Sequence, residues 1–262
     1  MNTLINATAS TILDGAKVHA IKQPKFIAQF AQSASAIQAA QKLRAQTFNQ
    51  EYGVQFDHPH GLDVDDYDPF CLHLNVYDTV QGCLIATTRL LTVENARLTN
   101  GFYSQKEFDL SPLLPNLQGR VLEVGRTCVH QDYRSGAAIT VLWTALAEYL
   151  LAENFAYLIG CASIPLNNDM SFSALMTRFD EQDFVSQSTR VIPKRTMLCE
   201  PTPHTIHTKI ALPPLLKAYL RMNAKLGGDA YFDEAFSCAD IFIVLDVATL
   251  AERYAQRFLK SA

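Results

Sequence analysis

One stretch of the chain, residues 123–143, constrains the fold more than any other. It reads EVGRTCVHQDYRSGAAITVLW, an apolar run typical of a strand, then a loop with Arg134 and Gly136, then the start of a helix. Strands that lead directly into long helices build sheets with helices packed on their faces. Free N–H groups at such a helix start, beside an arginine, suit a phosphate. The alternative is an ordinary strand-to-helix turn with a surface arginine, which the spacing alone favours.

The remaining pattern predicts an α/β fold with a mixed sheet flanked by helices. The expected helices are Ser35–Tyr52 with Ser35 as N-cap, Ala137–Asn154 and Pro213–Lys225. The expected strands are Phe26–Phe30, Cys71–Tyr77, Cys83–Leu91, Val121–Val129, Tyr157–Ala162 and Ile241–Val247. Neither a repeat nor a linker divides the chain. We therefore expect one domain over residues 24–262, preceded by a loosely ordered arm at residues 1–23.

Composition excludes several classes of protein. With 48% hydrophobic and 18% charged residues, extensive disorder is not expected. A net charge of −4 argues against nucleic acid as a general partner. No apolar run approaches the roughly 20 residues that span a bilayer, and no secretory signal is visible. We expect a cytoplasmic protein.

The cysteines and histidines do not predict a metal site. None of the six cysteines is spaced as CxxC, so they are interpreted as reduced thiols of the core. His58, His60, His204 and His207 lie in proline-rich loops without further ligands at suitable spacing. No metal is therefore expected.

Two polar features stand out. Arg44 falls on an otherwise apolar face of the first helix, and a buried guanidinium needs an anionic partner. The nearby loop carries four aspartates, Asp63, Asp65, Asp66 and Asp68. We expect Arg44 to pair with Asp65 or Asp68. Glu123 and Arg126 are three apart on a strand and face opposite sides unless a β-bulge near Gly125 brings them together.

These residues carry a family resemblance. Residues Arg44, Phe48, Asp65, Asp68, Arg89, Phe108, Glu123 and Arg126 occur in the same order as the signature residues of acyl-homoserine-lactone synthases. A closer resemblance is to the ornithine lipid N-acyltransferases, the "hemolysin-like" branch of the GNAT superfamily. Its segments here are AQKLRAQTFNQEYG, DVDDYDPFCLHLNV, EVGRTCVHQDYRSG and PPLLKAYLRMNAKLGGDAYFDEAFSCADIFIVL. The resemblance covers roughly Ala40 to Val247.

The resemblance implies a GNAT-type acyl-CoA N-acyltransferase fold with a mixed, mostly antiparallel sheet. It implies a bacterial enzyme that moves a long 3-hydroxyacyl group from acyl carrier protein to the α-amine of ornithine or lysine. The product would be a lyso-aminolipid that a separate O-acyltransferase completes. No cofactor is expected, and the partners would be acyl carrier protein and a small amino-acid acceptor. Peripheral contact with the inner membrane is left open.

Three alternatives remain. The chain could acylate another amino acid, such as tyrosine, or form acyl-homoserine lactones. Alternatively, it could be a non-enzymatic protein that binds an acyl carrier or a membrane.

The resemblance also assigns roles to residues. Glu123 is the candidate general base, alongside Arg126 as the second catalytic residue, and the alternative is that Glu123 only pairs with Arg126 or Arg89. Arg44, Phe48, Asp65, Asp68 and Arg89 are assigned to the acceptor pocket, although a buried scaffold network is an equal alternative. The crowded aspartates favour a positively charged acceptor.

The donor is assigned to the strand end and the following loop. Its residues are Cys128, Val129, Arg134, Ser135, Gly136, Ala137 and Ala138. The GNAT phosphate loop usually begins with Arg or Gln, but Tyr133 occupies that position and Arg134 comes one residue later. This departure favours the single phosphate of phosphopantetheine over coenzyme A, which stays possible as a donor. Without a His–Asp relay nearby, Cys128 is interpreted as a core thiol and not as a nucleophile.

Overall fold

The computed structural model describes residues 24–166, 172–197 and 212–250. The expected N-terminal arm, Cys199, His204 and His207 lie outside these ranges. The strands are β1 Phe26–Phe30, β2 Leu72–Asp78, β3 Cys83–Thr92, β4 Phe108–Asp109, β5 Arg120–Val129, β6 Phe155–Pro165, β7 Ile192–Pro193, β8 Lys225–Leu226, β9 Tyr231–Asp233 and β10 Cys238–Asp246. The helices are α1 Ala34–Tyr52, α2 Val93–Ala96, α3 Ala137–Ala152, α4 Phe172–Met176 and α5 Pro214–Arg221.

The strands form one large mixed sheet, as the sequence predicts. Its order is β1-β2-β3-β5-β6-β10-β8, with β9 also paired to β10. Strands β5 and β6 run parallel, and the other described pairs of this sheet are antiparallel. The short strands β4 and β7 pair separately. Among the described residues, no helix has the length and apolar character to cross a membrane.

The two faces of the sheet differ in chemistry. Leu74 and Val76 of β2 belong to the large apolar cluster that packs against α3. Asn75 lies between them on the opposite face, where its side chain donates to the carbonyl of Ala36 in α1. Because side chains alternate along a strand, the α1 face collects most of the buried polar residues of the sheet. They are His73, Asn75, Thr87, Arg89, Glu123 and Asp240, and the half-buried Ser163 lies on the same face.

Helix α1 begins one residue earlier than predicted, and its N-cap is Ser33 instead of Ser35. Ser33 has an extended backbone (φ −144°, ψ 155°), and its hydroxyl accepts a hydrogen bond from the Ala36 N–H at 3.2 Å. An N-cap requires that non-helical conformation. Ser35 lies inside the first turn and cannot serve.

Strand β5 contains a bulge near Gly125, the irregularity that the sequence left open as the way to bring Glu123 and Arg126 together. Thr87 of β3 pairs with Cys128, but Arg89 pairs with Gly125, so β5 has one extra residue between the two pairs. Arg126 lies in this bulge with a left-handed backbone (φ 52°). Such a conformation is strained for a non-glycine residue. It turns the Arg126 side chain to the same side as Arg89.

Strands β5 and β6 separate halfway along their length. Their pairing runs from Arg120↔Phe155 to Val124↔Gly160 and stops there. Beyond this point, within the described part of the chain, β5 pairs with β3 only and β6 pairs with β10 only. No described strand pairs with the backbone edge of β5 on the β6 side after Val124.

Candidate active site

A cavity of about 1060 Å³ opens where β5 and β6 part. Residues 124–129 of β5 form one wall, and Cys161, Ser163 and Pro165 of β6 form the other. Helix α3 contributes Ile139, Trp143 and Ala147, and the segment around α5 contributes Pro213, Leu215, Ala218 and Met222. The volume is large enough for an extended acyl thioester and a small acceptor.

Three arginines, the buried Arg44 and Arg89 and the half-buried Arg126, neutralise the acidic loop beside this cavity. Arg44 is fully buried; its Nε donates to Asp63 Oδ2 at 2.8 Å and its Nη2 donates to Asp68 Oδ1 at 2.9 Å. The expected pairing of Arg44 with Asp68 is therefore confirmed. Arg89 Nη1 donates to Asp65 Oδ1 at 2.6 Å.

Arg126 completes this network from the bulge. Its Nε lies 3.2 Å from Asp63 Oδ2, and its Nη2 donates to Tyr103 Oη at 3.0 Å. Each of the three inward aspartates thus meets at least one arginine, while Asp66 is exposed. The crowded loop aspartates therefore do not by themselves favour a cationic acceptor, because arginines of the protein supply compensating charge.

The residues assigned to the acceptor divide into two groups. Phe48 and Arg89 line the cavity, as does the second catalytic candidate, Arg126. Arg44, Asp65 and Asp68 are not among the lining residues. Asp65 and Asp68 hold the arginines of the lining from behind, and Arg44 pairs with Asp68. Direct contact of this second group with a substrate stays a prediction.

Glu123 lines the cavity and is 4% exposed. Its Oε2 accepts the Tyr103 N–H at 2.6 Å and its Oε1 accepts the Ser104 N–H at 2.8 Å. Burial raises the pKa of Glu123, and these N–H donors act in the opposite direction. A carboxylate has further lone pairs. Glu123 can therefore accept these two N–H groups, which is a structural role, and still accept a proton.

Cys128 and Cys161 line the cavity, but their thiols are not in the thiolate form that a nucleophile requires. Burial raises the pKa of the Cys128 thiol to about 12 and that of Cys161 well above its usual range. A thiol with such a pKa is protonated at neutral pH. The interpretation of Cys128 as a core thiol agrees with its 5% exposure.

The strand-to-helix connection brings part of the assigned donor residues to the cavity. Cys128, Val129, Arg134 and Gly136 line it. Ser135, Ala137 and Ala138 are not among the lining residues, and Ala138 is fully buried. Gly136 is the N-cap of α3 with φ 104°, a conformation that favours glycine.

Arg134 is already engaged in an ion pair. Its Nη1 lies 2.8 Å from Glu51 Oε1 of α1, and its Nε donates to the Val129 carbonyl. Both side chains are partly exposed at the cavity rim. A donor phosphate at this position must compete with Glu51.

Sequence reasoning missed a group of acids on the opposite wall. Glu107, Asp233 and Asp240 all line the cavity. Asp240 is 4% exposed and accepts a hydrogen bond from Ser163 Oγ at 2.5 Å. The signal in the sequence was Asp240 within the otherwise apolar strand β10, which reads CADIFIVLD and has its other aspartate at the last position.

The fold and the site together define a class of protein. A family model described as "Acetyltransferase (GNAT) domain" matches residues 43–144. Among solved structures, FeeM, an N-acyl amino acid synthase from uncultured soil microbes, aligns with a TM-score of 0.52 at 11% identity over 86% of this chain and 92% of that one. The acyl-homoserine-lactone synthase LasI aligns with a TM-score of 0.50 at 13% identity over 85% and 90%. The fold is that of the GNAT acyltransferases.

Curated relatives narrow the class to one family. An L-ornithine N(alpha)-acyltransferase of Brucella abortus (strain 2308) is 36% identical over 86% of this chain and 86% of its own length. One from Rhizobium meliloti (strain 1021) is 35% identical over 86% and 81%. The chain belongs to the L-ornithine N(alpha)-acyltransferase family, and it is an acyltransferase.

Proposed function

We propose that this enzyme transfers an acyl group from a carrier thioester to the α-amine of ornithine. The observation that carries the proposal is the cavity where β5 and β6 part, since it joins a free backbone edge to a wall of arginines and carboxylates. The edge suits a thioester, and the charged wall suits an amino acid. The names of the relatives from Brucella abortus and Rhizobium meliloti supply the identity of the acceptor.

The backbone of β5 is the natural binding site for the donor. An extended pantetheine arm that enters between β5 and β6 can hydrogen-bond to the unpaired β5 edge in the manner of an added strand. Its thioester would then lie near Cys128 and Val129. Backbone N–H groups at that position stabilise the negative charge that develops on the carbonyl oxygen.

The reaction is aminolysis of a thioester. The neutral α-amine attacks the carbonyl carbon, the C–S bond breaks, and the carrier leaves as a thiol that takes up one proton. The amine must lose protons on the way, so a base in the cavity accelerates the reaction. We assign this role to Glu123, directly or through a water, with Arg126 orienting the acceptor.

The proposed donor is a long 3-hydroxyacyl group on acyl carrier protein, with acyl coenzyme A as the alternative carrier. The apolar part of the cavity between α3 and α5 suits the acyl chain. In its wall the buried indole N–H of Trp143 has no hydrogen-bond acceptor within the described residues. A hydroxyl on the acyl chain could accept a hydrogen bond from this N–H.

The lyso-aminolipid product would leave toward the membrane, where a separate O-acyltransferase would add the second acyl chain.

A competition assay tests the proposal. Purified enzyme receives a 3-hydroxyacyl carrier protein with equimolar ornithine, lysine, tyrosine, leucine and homoserine, and the products are identified by mass spectrometry. We expect N-acylornithine as the dominant product. Dominant acylation of tyrosine or leucine would make the protein a general N-acyl amino acid synthase, and a lactone product would assign it to signalling.

A further inference from the structure

We propose that Glu107, Asp233 and Asp240 form the subsite that binds the side-chain ammonium of the acceptor. This inference rests on the proposed function, because it assigns one part of the ornithine molecule to one wall of the cavity. It replaces the acidic loop as the origin of selectivity for a basic amino acid.

The acids of the loop and the acids of this wall differ in whether an arginine compensates their charge. The loop carboxylates Asp63, Asp65 and Asp68 each lie within 4.0 Å of an arginine nitrogen. Within the described residues, by contrast, no lysine, arginine or histidine forms an ion pair with Glu107, Asp233 or Asp240. This wall therefore presents carboxyl groups to the cavity without a cation of the protein's own.

The hydrogen-bond donors that contact these three acids are uncharged. Asp240 accepts from Ser163 Oγ, and the Cys238 thiol lies 3.8 Å from both of its oxygens. The Cys161 thiol donates to Glu107 Oε2, with Sγ and Oε2 3.5 Å apart. Asp233 Oδ1 accepts the Phe236 N–H at 3.1 Å. Neutral donors position the carboxyl groups but do not offset their charge.

A second polar feature lies on the same wall. Ser104 is 1% exposed and lines the cavity; its Oγ makes no hydrogen bond of good geometry within the described residues, although it lies close enough to the Glu123 carboxylate to lower the pKa of that group. A buried hydroxyl without a partner is costly unless a ligand supplies one. Ser104 precedes Glu107 by one turn of a short 3₁₀ helix, so both groups belong to the same segment. An ammonium has three N–H donors and can serve a hydroxyl and carboxylates together.

The electrostatics of the wall favour an added cation. Burial and the neighbouring acids raise the pKa of Glu107 well above its usual range, and burial raises that of Asp240 to about 6. The field of Arg126 lowers both, but that arginine is engaged with Asp63 and Tyr103. An ammonium bound between the carboxylates would stabilise their charged form.

The geometry fits an organic cation better than a metal ion. Donor atoms of Asp233, Cys238 and Asp240 lie within 4.8 Å of one another, a spacing that could also suit a metal. A metal bound there would have to displace the proton of the Cys238 thiol, so zinc binding is one outcome that the test below includes. The aromatic rings of Phe48, Tyr52 and Phe236 pack together on the same side of the cavity, with centroids 5.7–6.3 Å apart. They offer apolar contact for the methylenes of a basic side chain.

The test compares ornithine with norvaline, which has the same carbon chain but no δ-amine. In the wild-type enzyme we expect kcat/KM for ornithine to exceed that for norvaline by roughly 10²-fold or more. Asp240→Asn and Glu107→Gln should each raise the KM for ornithine by roughly 10- to 100-fold. The ornithine-to-norvaline preference should fall in each variant and approach one in the double variant.

Two matched controls carry the same chemical change outside the cavity. Asp246→Asn lies on the same strand as Asp240 but is exposed, and Asp109→Asn lies two residues from Glu107 and is exposed. Both should retain the wild-type preference. Thermal melting of every variant separates loss of the fold from loss of the subsite.

The outcomes separate this inference from the proposed function. If the wild-type enzyme does not acylate ornithine, the proposed function fails, and calorimetric binding of ornithine against norvaline still tests the subsite. If ornithine is the acceptor but the variants lose activity equally on both amino acids, the subsite assignment is overturned. Stoichiometric Zn²⁺ binding that Asp240→Asn abolishes, with no change in the ornithine preference, would also overturn it.

Discussion

At the scale of single residues, buried ionisable groups divide into two sets with different energetics. The loop aspartates Asp63 and Asp68 share the fully buried Arg44, so their charges compensate one another. Asp240 is as deeply buried and has no cationic partner within the described residues. Buried carboxylates without a cation cost stability and are characteristic of functional sites.

The first prediction concerns Glu123. If it is the general base, Glu123→Gln should lower turnover by roughly 10²-fold or more, and high pH should partly restore it because more of the acceptor amine is neutral there. The measurement is a kcat profile from pH 7 to 9, with melting to confirm the fold. Unchanged turnover across that range would leave Glu123 as a cap for the Tyr103 and Ser104 N–H groups only.

The second prediction concerns Asp240 and stability without a substrate. Its pKa in the folded protein is about 6, above the roughly 3.9 of an unfolded aspartate. The folded state therefore holds the extra proton between these values, and stability falls as pH rises through this window. Asp240→Asn should raise the melting temperature at pH 7.5 by a few degrees and have little effect near pH 4.

Several groups surround Asp240 and could affect the pH dependence of this measurement. They are Ser163, Cys161, Cys238, Asp233, Glu107, Arg126 and Tyr52. None of them changes in the variant, so the pH-dependent difference reports on Asp240. Asp246→Asn should show no such pH dependence, and an equal gain from it would contradict the assignment.

At the scale of elements, the site depends on an irregularity in β5 and on a helix packed over it. The bulge at Arg126 turns its guanidinium toward the acidic loop, and α1 brings Arg44 to the other side of the same carboxylates. The period of the helix placed Arg44 on the inward face, so this half of the network was predictable. The sequence did not predict the bulge itself. It showed only that Glu123 and Arg126 would face opposite sides of a regular strand, so that a bulge was needed to bring them together.

The third prediction tests this network. Arg44→Met leaves Asp63 and Asp68 buried with one fewer cation, and we expect a loss of about 3–5 kcal/mol in the free energy of unfolding. Urea denaturation measures it. The double variant Arg44→Met/Asp68→Asn should recover part of the loss, since one uncompensated charge is removed. A loss below about 1 kcal/mol in the single variant would show that the network contributes little to stability.

At the scale of the whole molecule, the proposed carrier donor would have to bind a chain whose own net charge is negative. The net charge is −4, so any attraction for a carrier protein or a phosphate must come from a local set of cations. Arg134, Lys217 and Arg221 lie around the cavity on α5 and on the loop before α3. Local basic residues can steer a charged partner even when the net charge is unfavourable.

The fourth prediction concerns donor binding. Arg134→Ala should raise the KM for the acyl carrier donor more than it changes kcat. Glu51→Gln should lower that KM, since it removes the competing partner of Arg134. Salt should weaken binding of the carrier. Steady-state kinetics at several ionic strengths measure this, with Arg97→Ala on an exposed surface as the control. Equal efficiency with acyl coenzyme A and acyl carrier protein at every ionic strength would contradict the assignment.

The sequence by itself determined the parts of this protein that depend on neighbouring residues. The strand-loop-helix unit of residues 123–143, the inward face of Arg44 and the order of the family motifs are all local patterns. Desolvation further required that Arg44 meet an aspartate, and it does. The choice among the four aspartates was not determined, because it depends on how the loop closes over the sheet.

Only the tertiary structure decided where the cavity lies and what its second wall contains. The separation of β5 from β6 after Val124 follows from pairing between distant strands. Ser163 and Asp240 meet because β10 pairs with β6 in register, and Glu107 reaches β6 from the distant segment before β4. No local periodicity marks such a meeting, since each of these residues alone resembles a polar exception in an apolar strand or turn. The proposed acceptor subsite therefore depends on strand register, whereas the scaffold depends on local pattern.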